Sequence, residues 1–439
     1  MDRSGSGSGA SSWAARLAAL GLPFALLGGL LTACGTDTDV PVLTWYINPD
    51  PAPPADFQGS FGQAGIAERC STDDYRIQTQ TLPGDGSQQR IQLARRLAAK
   101  DPSIDLMSLD PVFTGEFSAA NFLAPISEDQ ASDLSADALA GALEGATWDD
   151  RLVVAPLWAN TQLLWYRKSF AEKAGLDMSR PVTWDQIIEA AAENNGTVGV
   201  QANKYEGYSV WINALIQGAG GAIISDNEAG VDASIDIDSP AGQAAAGVIS
   251  KLAHSPAAQR DLSVSNEGTV LGPFAGDRGA FQVNWTFIYA NYRGDDATFD
   301  DLGWTRYPQT EEGKESRPPL GGINIGVNAN SDDVEDALTA LSCITSVENQ
   351  VTYALETGNM PASATAYDDA ELKQAYPEDL LELFRNSIDA AGPRPVSAYW
   401  SDISSALQST WHPPNSVTDR TPAKSADFIG EVLQGRTLL

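Results

Sequence analysis

The residue types that carry most enzyme and metal chemistry are scarce in this chain. Its 439 residues include two histidines, His254 and His412, and three cysteines. These residues form no cluster with metal-ligand spacing, and we find neither a glycine-rich phosphate loop nor a nucleophile elbow. We therefore expect no cofactor, no metal and no catalytic centre.

Polar side chains at the ends of predicted strands are the first candidate ligand-binding residues. Asp110 follows a short apolar strand, at the carboxyl edge where α/β proteins bind ligands. Asn48 and Asp50 follow the first strand in the same way. For Asp110, the alternative is that it only caps the next helix.

Two amide side chains and one arginine extend this set. Gln89 lies in the first turn of a helix that Asp85 can cap, where its side chain faces either a cleft or solvent. Asn160 interrupts an apolar extended segment, and a buried amide there needs partners, either ligand hydroxyls or a structural network. Arg394 lies between two prolines and offers a guanidinium fork for two hydroxyl oxygens, with a surface salt bridge as the alternative.

Planar polar groups of this kind suit a neutral sugar, whose hydroxyls both donate and accept hydrogen bonds. Polar groups buried without a partner cost roughly 1–3 kcal/mol each, so such a site rejects ligands that lack the matching hydroxyls. Gly321, Gly322 and Ile323 are further candidates because their backbone amides can approach a ligand closely.

Strand-like runs that alternate with helical patterns predict an α/β fold. The predicted βαβαβ start has strands at 42–47, 76–81 and 104–109, with helices near 58–70 and 86–100. Thr183 is a predicted N-cap further along.

Two extended segments predict crossings between two lobes. Residues 151–166 are too many for one ordinary strand of about 5–6 residues, so we expect two strands joined without a turn. Residues 321–327 follow Pro318-Pro319 and would form the return crossing. The predicted N-terminal lobe is 41–160 with 322–368, and the predicted C-terminal lobe is 161–321 with 369–439.

The N-terminus has the features of a secretory signal peptide at residues 1–33. The apolar run at 17–31 is shorter than the roughly 20 residues that span a bilayer. Leu31-Thr32-Ala33-Cys34 resembles the lipobox of bacterial lipoproteins. This likeness implies lipidation of Cys34 and a tether at 34–40, which would anchor an extracytoplasmic protein to the outer face of the cytoplasmic membrane. An ordinary signal peptide is the alternative.

The net charge of the chain and its two remaining cysteines bear on its partners and its compartment. With 27 basic and 58 acidic residues the net charge is −31, which repels nucleic acid and anionic headgroups. We therefore expect membrane contact through the lipid anchor alone, although the acidity can equally serve solubility. Cys70 and Cys343 remain as a potential disulfide in an oxidising compartment, with two buried free thiols as the alternative.

Several segments along the chain, in their order and spacing, resemble the extracellular sugar-binding proteins of ABC importers, the maltose-binding-like group. The segments are 105–110 (DLMSLD), 155–166 (APLWANTQLLWY), 181–185 (PVTWD), 279–285 (GAFQVNW), 319–324 (PLGGIN), 358–361 (GNMP) and 394–395 (RP). Within that group, 89–97 (QRIQLARRL), 160–166 and 283–285 are similar to the trehalose-binding lipoproteins of actinobacterial trehalose-recycling importers.

The resemblance implies a two-lobed periplasmic-binding-protein-like fold of type II, with the ligand cleft between lobes joined by crossing strands. It also implies that Glu267 and Trp285 contact the ligand, Trp285 as a stacking ring, and that cysteines matching Cys70 and Cys343 are present. The expected ligand is trehalose or a related disaccharide. The expected partners are ABC permease subunits with their ATPase, and the protein is expected to be a monomer outside that complex.

Two other classes of function remain as alternatives. A secreted glycosidase would use Asp110 and Glu267 as paired carboxylates. An adhesin or cell-wall scaffold would have no small-molecule cleft. Within the sugar-binding class, a maltose-type di- or oligosaccharide is the alternative ligand.

Overall fold

The computed structural model describes residues 40–437. The predicted signal peptide, Cys34 and the tether up to residue 39 lie outside the described residues. Between residues 40 and 437, no helix is both long and apolar enough to cross a membrane.

The chain alternates strands and helices as the sequence predicts. The strands are β1 Val42–Ile47, β2 Arg76–Thr81, β3 Leu106–Leu109, β4 Thr147–Trp148, β5 Arg151–Leu152, β6 Ala155–Arg167, β7 Thr197–Gly199, β8 Ile224–Ser225, β9 Ser234–Ile235, β10 Gly279–Trp285, β11 Leu302–Thr305 and β12 Leu320–Val327. The helices are α1 Gly62–Arg69, α2 Gly86–Ala98, α3 Thr114–Ala119, α4 Glu128–Ser135, α5 Ala140–Glu144, α6 Lys168–Ala174, α7 Trp184–Glu193, α8 Glu206–Gly218, α9 Pro240–Ala253, α10 Leu271–Ala275, α11 Ile288–Tyr292, α12 Asp296–Asp300, α13 Val334–Ile344, α14 Val347–Thr357, α15 Ala370–Ala375, α16 Glu378–Asp389, α17 Trp400–Trp411 and α18 Thr421–Leu433.

The predicted βαβαβ start is confirmed, with two shifts at element ends. The first two strands lie where the sequence predicts them, whereas β3 begins at Leu106 and α1 begins at Gly62. Asp85 caps α2 by accepting a hydrogen bond from the backbone N–H of Gln88. Thr183 caps α7 in a capping box with Gln186.

One eight-stranded sheet runs through both lobes in the order β2-β1-β3-β12-β6-β10-β7, and β11 also pairs with β6. Strands β1, β2 and β3 are parallel, whereas β12 is antiparallel to both β3 and β6. We use "first lobe" for the part around β1–β3 and α1–α5. We use "second lobe" for the part around β7, β10 and β11 with α7–α10, α17 and α18.

The prediction of two strands within residues 151–166 is wrong. The two-residue β5 is followed by residues 153 and 154, which lie in no strand, and the rest of the stretch lies in one 13-residue strand, β6. Its first part, from Ala155 to Thr161, pairs with β12, and its second part, from Gln162 to Tyr166, pairs with β10. Because the strand changes partners without a turn, a single element crosses from the β12 side of the sheet to the β10 side. Strand β12, the predicted return crossing, pairs with β3 and with the first part of β6.

Cys70 and Cys343 form a disulfide in the first lobe, which excludes the alternative of two free thiols. Cys70 ends α1 and Cys343 lies in α13, and their Cα atoms are 5.7 Å apart. The bond joins segments separated by 273 residues. It therefore fixes the chain after the return crossing to the helix that follows β1.

Candidate functional site

Arg394 connects the two lobes at the end of β3. Its Nη2 lies 2.7 Å from Asp110 Oδ1 in the first lobe, and its Nη1 lies 2.8 Å from Glu206 Oε1 in the second. Burial lowers the pKa of Arg394, but the two carboxylates outweigh that effect, so the net shift is upward. Arg394 is only 4% exposed, so the salt bridge is buried and not the surface pair that the sequence left open.

Asp110 has both of the roles that the sequence allowed. It caps the 3₁₀ helix Pro111–Phe113 by accepting a hydrogen bond from Val112 N at 3.1 Å, and it pairs with Arg394. Its side chain is 26% exposed. The carboxylate therefore keeps accessible surface at the carboxyl end of β3 while one oxygen holds the guanidinium.

Glu267 lies in a loop of the second lobe and accepts a hydrogen bond from Tyr205 Oη, at 2.7 Å to Oε2. Burial raises the pKa of Glu267, although hydrogen bonds from Tyr205 and Trp285 act in the opposite direction. The charge of Asp85, which caps α2 in the first lobe, raises this pKa further. A first-lobe carboxylate therefore acts on the pKa of Glu267 in the second lobe.

Trp285 is the last residue of β10, and its ring lies against Gly321 in the crossing strand β12. A Cβ atom on Gly321 would come within 2.7 Å of a Trp285 ring carbon, so only glycine leaves room for the ring. Trp285 is partly exposed and is therefore not a core side chain. Its proximity to Glu267 places an apolar ring beside a carboxylate.

Asn160 is buried in the middle of β6 and belongs to a structural network. Its Oδ1 accepts hydrogen bonds from Thr286 Oγ1 at 2.8 Å, from Thr286 N at 3.2 Å and from Thr161 N at 2.9 Å. These bonds fix the crossing strand to the residue that follows Trp285. Asn160 therefore lies next to the ring, and its carbonyl oxygen is already engaged by the protein.

Gln89, Asn48 and Asp50 are engaged elsewhere in the first lobe. Gln89 Nε2 donates a hydrogen bond to Pro83 O at 2.8 Å. Asn48 and Asp50 both accept hydrogen bonds from the side chain of Gln63, and Asp50 also accepts one from Tyr353 Oη at 2.7 Å. Within residues 40–437, no hydrogen bond joins these three candidates to Arg394 or Glu267, and their role in ligand binding stays a prediction.

Gly322 and Ile323 lie in β12, opposite Ala159 and Trp158 of β6. Gly322 has φ +134°, and a Cβ atom there would come within 2.3 Å of the Trp158 carbonyl oxygen. The Ile323 side chain is buried in the hydrophobic core of the first lobe. Only the backbone of these two residues is therefore available to a ligand.

Sequence reasoning missed Glu206 and Tyr205. Glu206 also accepts hydrogen bonds from Trp400 Nε1 and Ser404 Oγ. An acidic residue that begins the otherwise apolar helix α8 is the one signal that points to it. Nothing in the sequence singles out Tyr205, because its partner Glu267 is 62 residues away.

Most of the chain matches the sequence model of a known family. The sequence model of the bacterial extracellular solute-binding proteins matches residues 58–351. The chain belongs to this family.

A probable ABC transporter-binding protein of Deinococcus radiodurans is 25% identical over 330 residues, which are 72% of this chain and 76% of that protein. Among solved structures, maltose-bound MalE3 of Thermotoga maritima superposes with a TM-score of 0.75 and 22% identity, covering 90% of this chain and all of that one. The GacH receptor of Streptomyces glaucescens gives a TM-score of 0.72 and 19% identity over 90% and 98% of the two chains.

These comparisons confirm the predicted two-lobed, type II fold of periplasmic binding proteins. Family membership makes the chain a solute-binding protein and not an enzyme, which removes the glycosidase alternative. The family is extracellular, in agreement with the predicted extracytoplasmic location. Among residues 40–437, no group of three or more His, Cys, Asp or Glu side chains is arranged to hold a metal ion.

Proposed function

We propose that this solute-binding protein captures a neutral disaccharide, most specifically trehalose, and delivers it to the permease of an ABC importer. The observation that carries the proposal is the Trp285 ring, which is partly exposed beside Glu267 and held in place by Gly321. An aromatic face for C–H groups next to hydrogen-bonding groups for hydroxyls is what a sugar requires.

The ligand would lie between the lobes and contact both. Asp110 at the end of β3 would accept hydroxyl hydrogens from the first lobe. Glu267 and Trp285 would contact the ligand from the second lobe. Arg394 would contact it from its position between the two lobes. Asn160 and the backbone of Gly322 and Ile323 would contribute from the crossing strands. Asn48, Asp50 and Gln89 are the weaker members, because their side chains already bond within the first lobe.

The names of related proteins support the class of ligand. The Deinococcus relative is named as an ABC transporter-binding protein. The solved neighbours include proteins described with maltose, with acarbose and with α-D-tagatose. The choice of trehalose as the ligand rests on the resemblance of segments 89–97, 160–166 and 283–285 to trehalose-binding lipoproteins. A maltose-type sugar is the second candidate, favoured by the maltose-bound neighbour.

Calorimetry with trehalose, maltose, maltotriose and glucose tests the proposal. We expect saturable heat and a raised melting temperature with trehalose, and weaker responses with the other sugars. A response to maltose or maltotriose without one to trehalose would overturn the named sugar and keep the importer function. If no sugar shifts the melting temperature, the sugar class itself is wrong.

The proposed architecture assigns 41–160 with 322–368 to the N-terminal lobe and 161–321 with 369–439 to the C-terminal lobe. The change of partner in the middle of β6 supports the first boundary. Ligand contacts from both lobes would favour a closed form, which the permease can distinguish from the open form. We further propose that lipid on Cys34 keeps this monomeric protein at the outer face of the cytoplasmic membrane.

A further inference from the structure

A second group of polar side chains joins the two lobes, apart from Arg394. Glu116 on α3 accepts hydrogen bonds from Arg90 Nε on α2, at 3.0 and 2.8 Å to its two carboxylate oxygens. The same carboxylate accepts a hydrogen bond from Ser401 Oγ at 3.0 Å. We call Arg90, Glu116 and Ser401 the cross-lobe contact.

The elements that carry these residues belong to different lobes. Helices α2 and α3 belong to the first lobe, whereas α17, which begins at Trp400, packs on α18 and α8 of the second. Ser401 lies in the first turn of α17, where unpaired backbone N–H groups favour a nearby carboxylate. The Glu116 carboxylate is therefore attracted to the other lobe by a hydroxyl and by the helix terminus.

The positive charge of Arg90 acts on two nearby carboxylates, Glu116 and Asp402. Burial raises the pKa of Asp402, the residue after Ser401. The charge of Arg90 lowers that pKa, and the charge of Glu116 raises it. Asp402 and Glu116 therefore repel each other across the lobes, and Arg90 offsets the repulsion. Without the guanidinium, two carboxylates from opposite lobes would face each other unneutralised.

The cross-lobe contact is separate from the candidate ligand site. None of its three members is a predicted ligand residue, and among residues 40–437 the Glu116 carboxylate accepts hydrogen bonds from Arg90 and Ser401 alone. The Arg394–Asp110 pair also joins the lobes, but it lies within the candidate site. A change there alters ligand contacts and lobe closure together, whereas a change in the cross-lobe contact isolates closure.

We propose that the cross-lobe contact is a latch that stabilises the closed arrangement and determines how long the ligand is retained. As regulation of the same site, this inference rests on the proposed sugar-binding function. A contact made only when the lobes are closed shifts the equilibrium between open and closed forms, and the dissociation rate follows that equilibrium. For a partly exposed, charge-assisted contact we expect an effect of about three- to tenfold.

The test compares Ser401→Ala and Arg90→Gln with two matched controls. Ser405→Ala removes a hydroxyl from the same helix that donates only to Ser401 O. Arg167→Gln removes a guanidinium that also donates a hydrogen bond to a carboxylate, that of Asp301, outside the cross-lobe contact. The readouts are the radius of gyration from X-ray scattering, without sugar and with saturating trehalose, and the rate of trehalose release in stopped-flow fluorescence.

We expect both latch variants to show a larger radius without sugar and about three- to tenfold faster release, while both controls match the wild type. Melting temperatures separate lobe opening from loss of folding. Unchanged radius and release in Ser401→Ala and Arg90→Gln would overturn the latch. If no sugar binds but the latch variants still expand, the proposed sugar fails and the latch stands, so the two failures are distinguishable.

Discussion

Trp285 and Glu267 place an apolar ring and a carboxylate side by side. The ring keeps its orientation because Gly321 has no side chain to displace it. The carboxylate keeps its position because Tyr205 donates a hydrogen bond to it. Neither residue depends on the ligand for its geometry, so the ordering cost on binding is small.

The first prediction at this scale concerns the ring. Trp285→Ala should weaken trehalose binding by roughly 1–3 kcal/mol, because the buried stacking area is lost. Trp304→Ala is the matched control, since Trp304 lies on β11 and its indole nitrogen donates to Asp379. Calorimetry of both variants measures the effect. Equal affinity in Trp285→Ala and the wild type would remove Trp285 from the site.

A second residue prediction follows from the raised pKa of Glu267. The folded protein takes up this proton more readily than the unfolded chain, whose ordinary value is 4.5. The contribution of Glu267 to stability is therefore full below pH 4.5 and is lost as the pH rises through the folded-state pKa. Glu267→Gln should gain stability relative to the wild type between pH 4.5 and 7.

Denaturant titrations across that pH range measure the difference, with Glu315→Gln as the control at an exposed position. The Glu315→Gln curve should run parallel to that of the wild type. A Glu267→Gln curve that is also parallel would show that burial does not perturb this carboxylate.

At the scale of elements, the adjacent glycines of β12 serve different purposes. A Cβ atom at Gly321 would meet the movable ring of Trp285, whereas one at Gly322 would meet the backbone oxygen of Trp158 at 2.3 Å. Gly322 also has φ +134°, which is strained for any other residue. One glycine therefore shapes the candidate site, and the other allows the crossing strands to approach.

The prediction is that the two substitutions separate binding from stability. Gly321→Ala should lower trehalose affinity by displacing the ring, with a melting temperature close to that of the wild type. Gly322→Ala should lower the free energy of unfolding by about 1–3 kcal/mol or more. Calorimetry and thermal unfolding check both variants. A Gly321→Ala protein that binds normally but unfolds early would contradict this division.

The sequence predicted the bounds and caps of these strands and helices better than it predicted which strands pair with one another. Strand bounds at 42–47 and 76–81 and the caps at Asp85 and Thr183 depend on neighbouring residues, and all four are confirmed. The change of partner within β6 depends on where β10 and β12 lie, which no window of residues 151–166 contains.

Tertiary neighbours also decided the side-chain roles in the candidate site. Asn160 was correctly expected to need buried partners, but Thr286, 126 residues away, supplies them. Asp110 was identified from its place after β3, whereas its second-lobe counterpart Glu206 appears only once Arg394 is placed between them. Ligand contacts by either residue remain a prediction.

At the scale of the whole molecule, the lobes meet at two arginines placed between carboxylates. Arg394 lies between Asp110 and Glu206. Arg90 pairs with Glu116, and its charge also lowers the pKa of Asp402. In a chain with net charge −31, each guanidinium offsets a repulsion that would otherwise hold the lobes apart. The acidic surface and the two arginines together make closure sensitive to single substitutions.

The last prediction concerns the attachment of the whole molecule to the membrane. Cys34 lies outside the described residues, so the prediction rests on Leu31-Thr32-Ala33-Cys34 and the short apolar run before it. In bacteria that express the full chain, the mature protein should begin at Cys34 and carry a diacylglycerol, because two acyl chains suffice for stable anchoring. Intact-mass spectrometry of the membrane fraction should find residues 34–439 with the added mass of the lipid.

Cys34→Ala should lack that mass and appear in the culture medium, whereas Cys70→Ser, which changes a cysteine of the folded part, should remain lipidated. A wild-type protein that begins at another residue, or a Cys34→Ala protein that stays with the membrane, would contradict lipid anchoring.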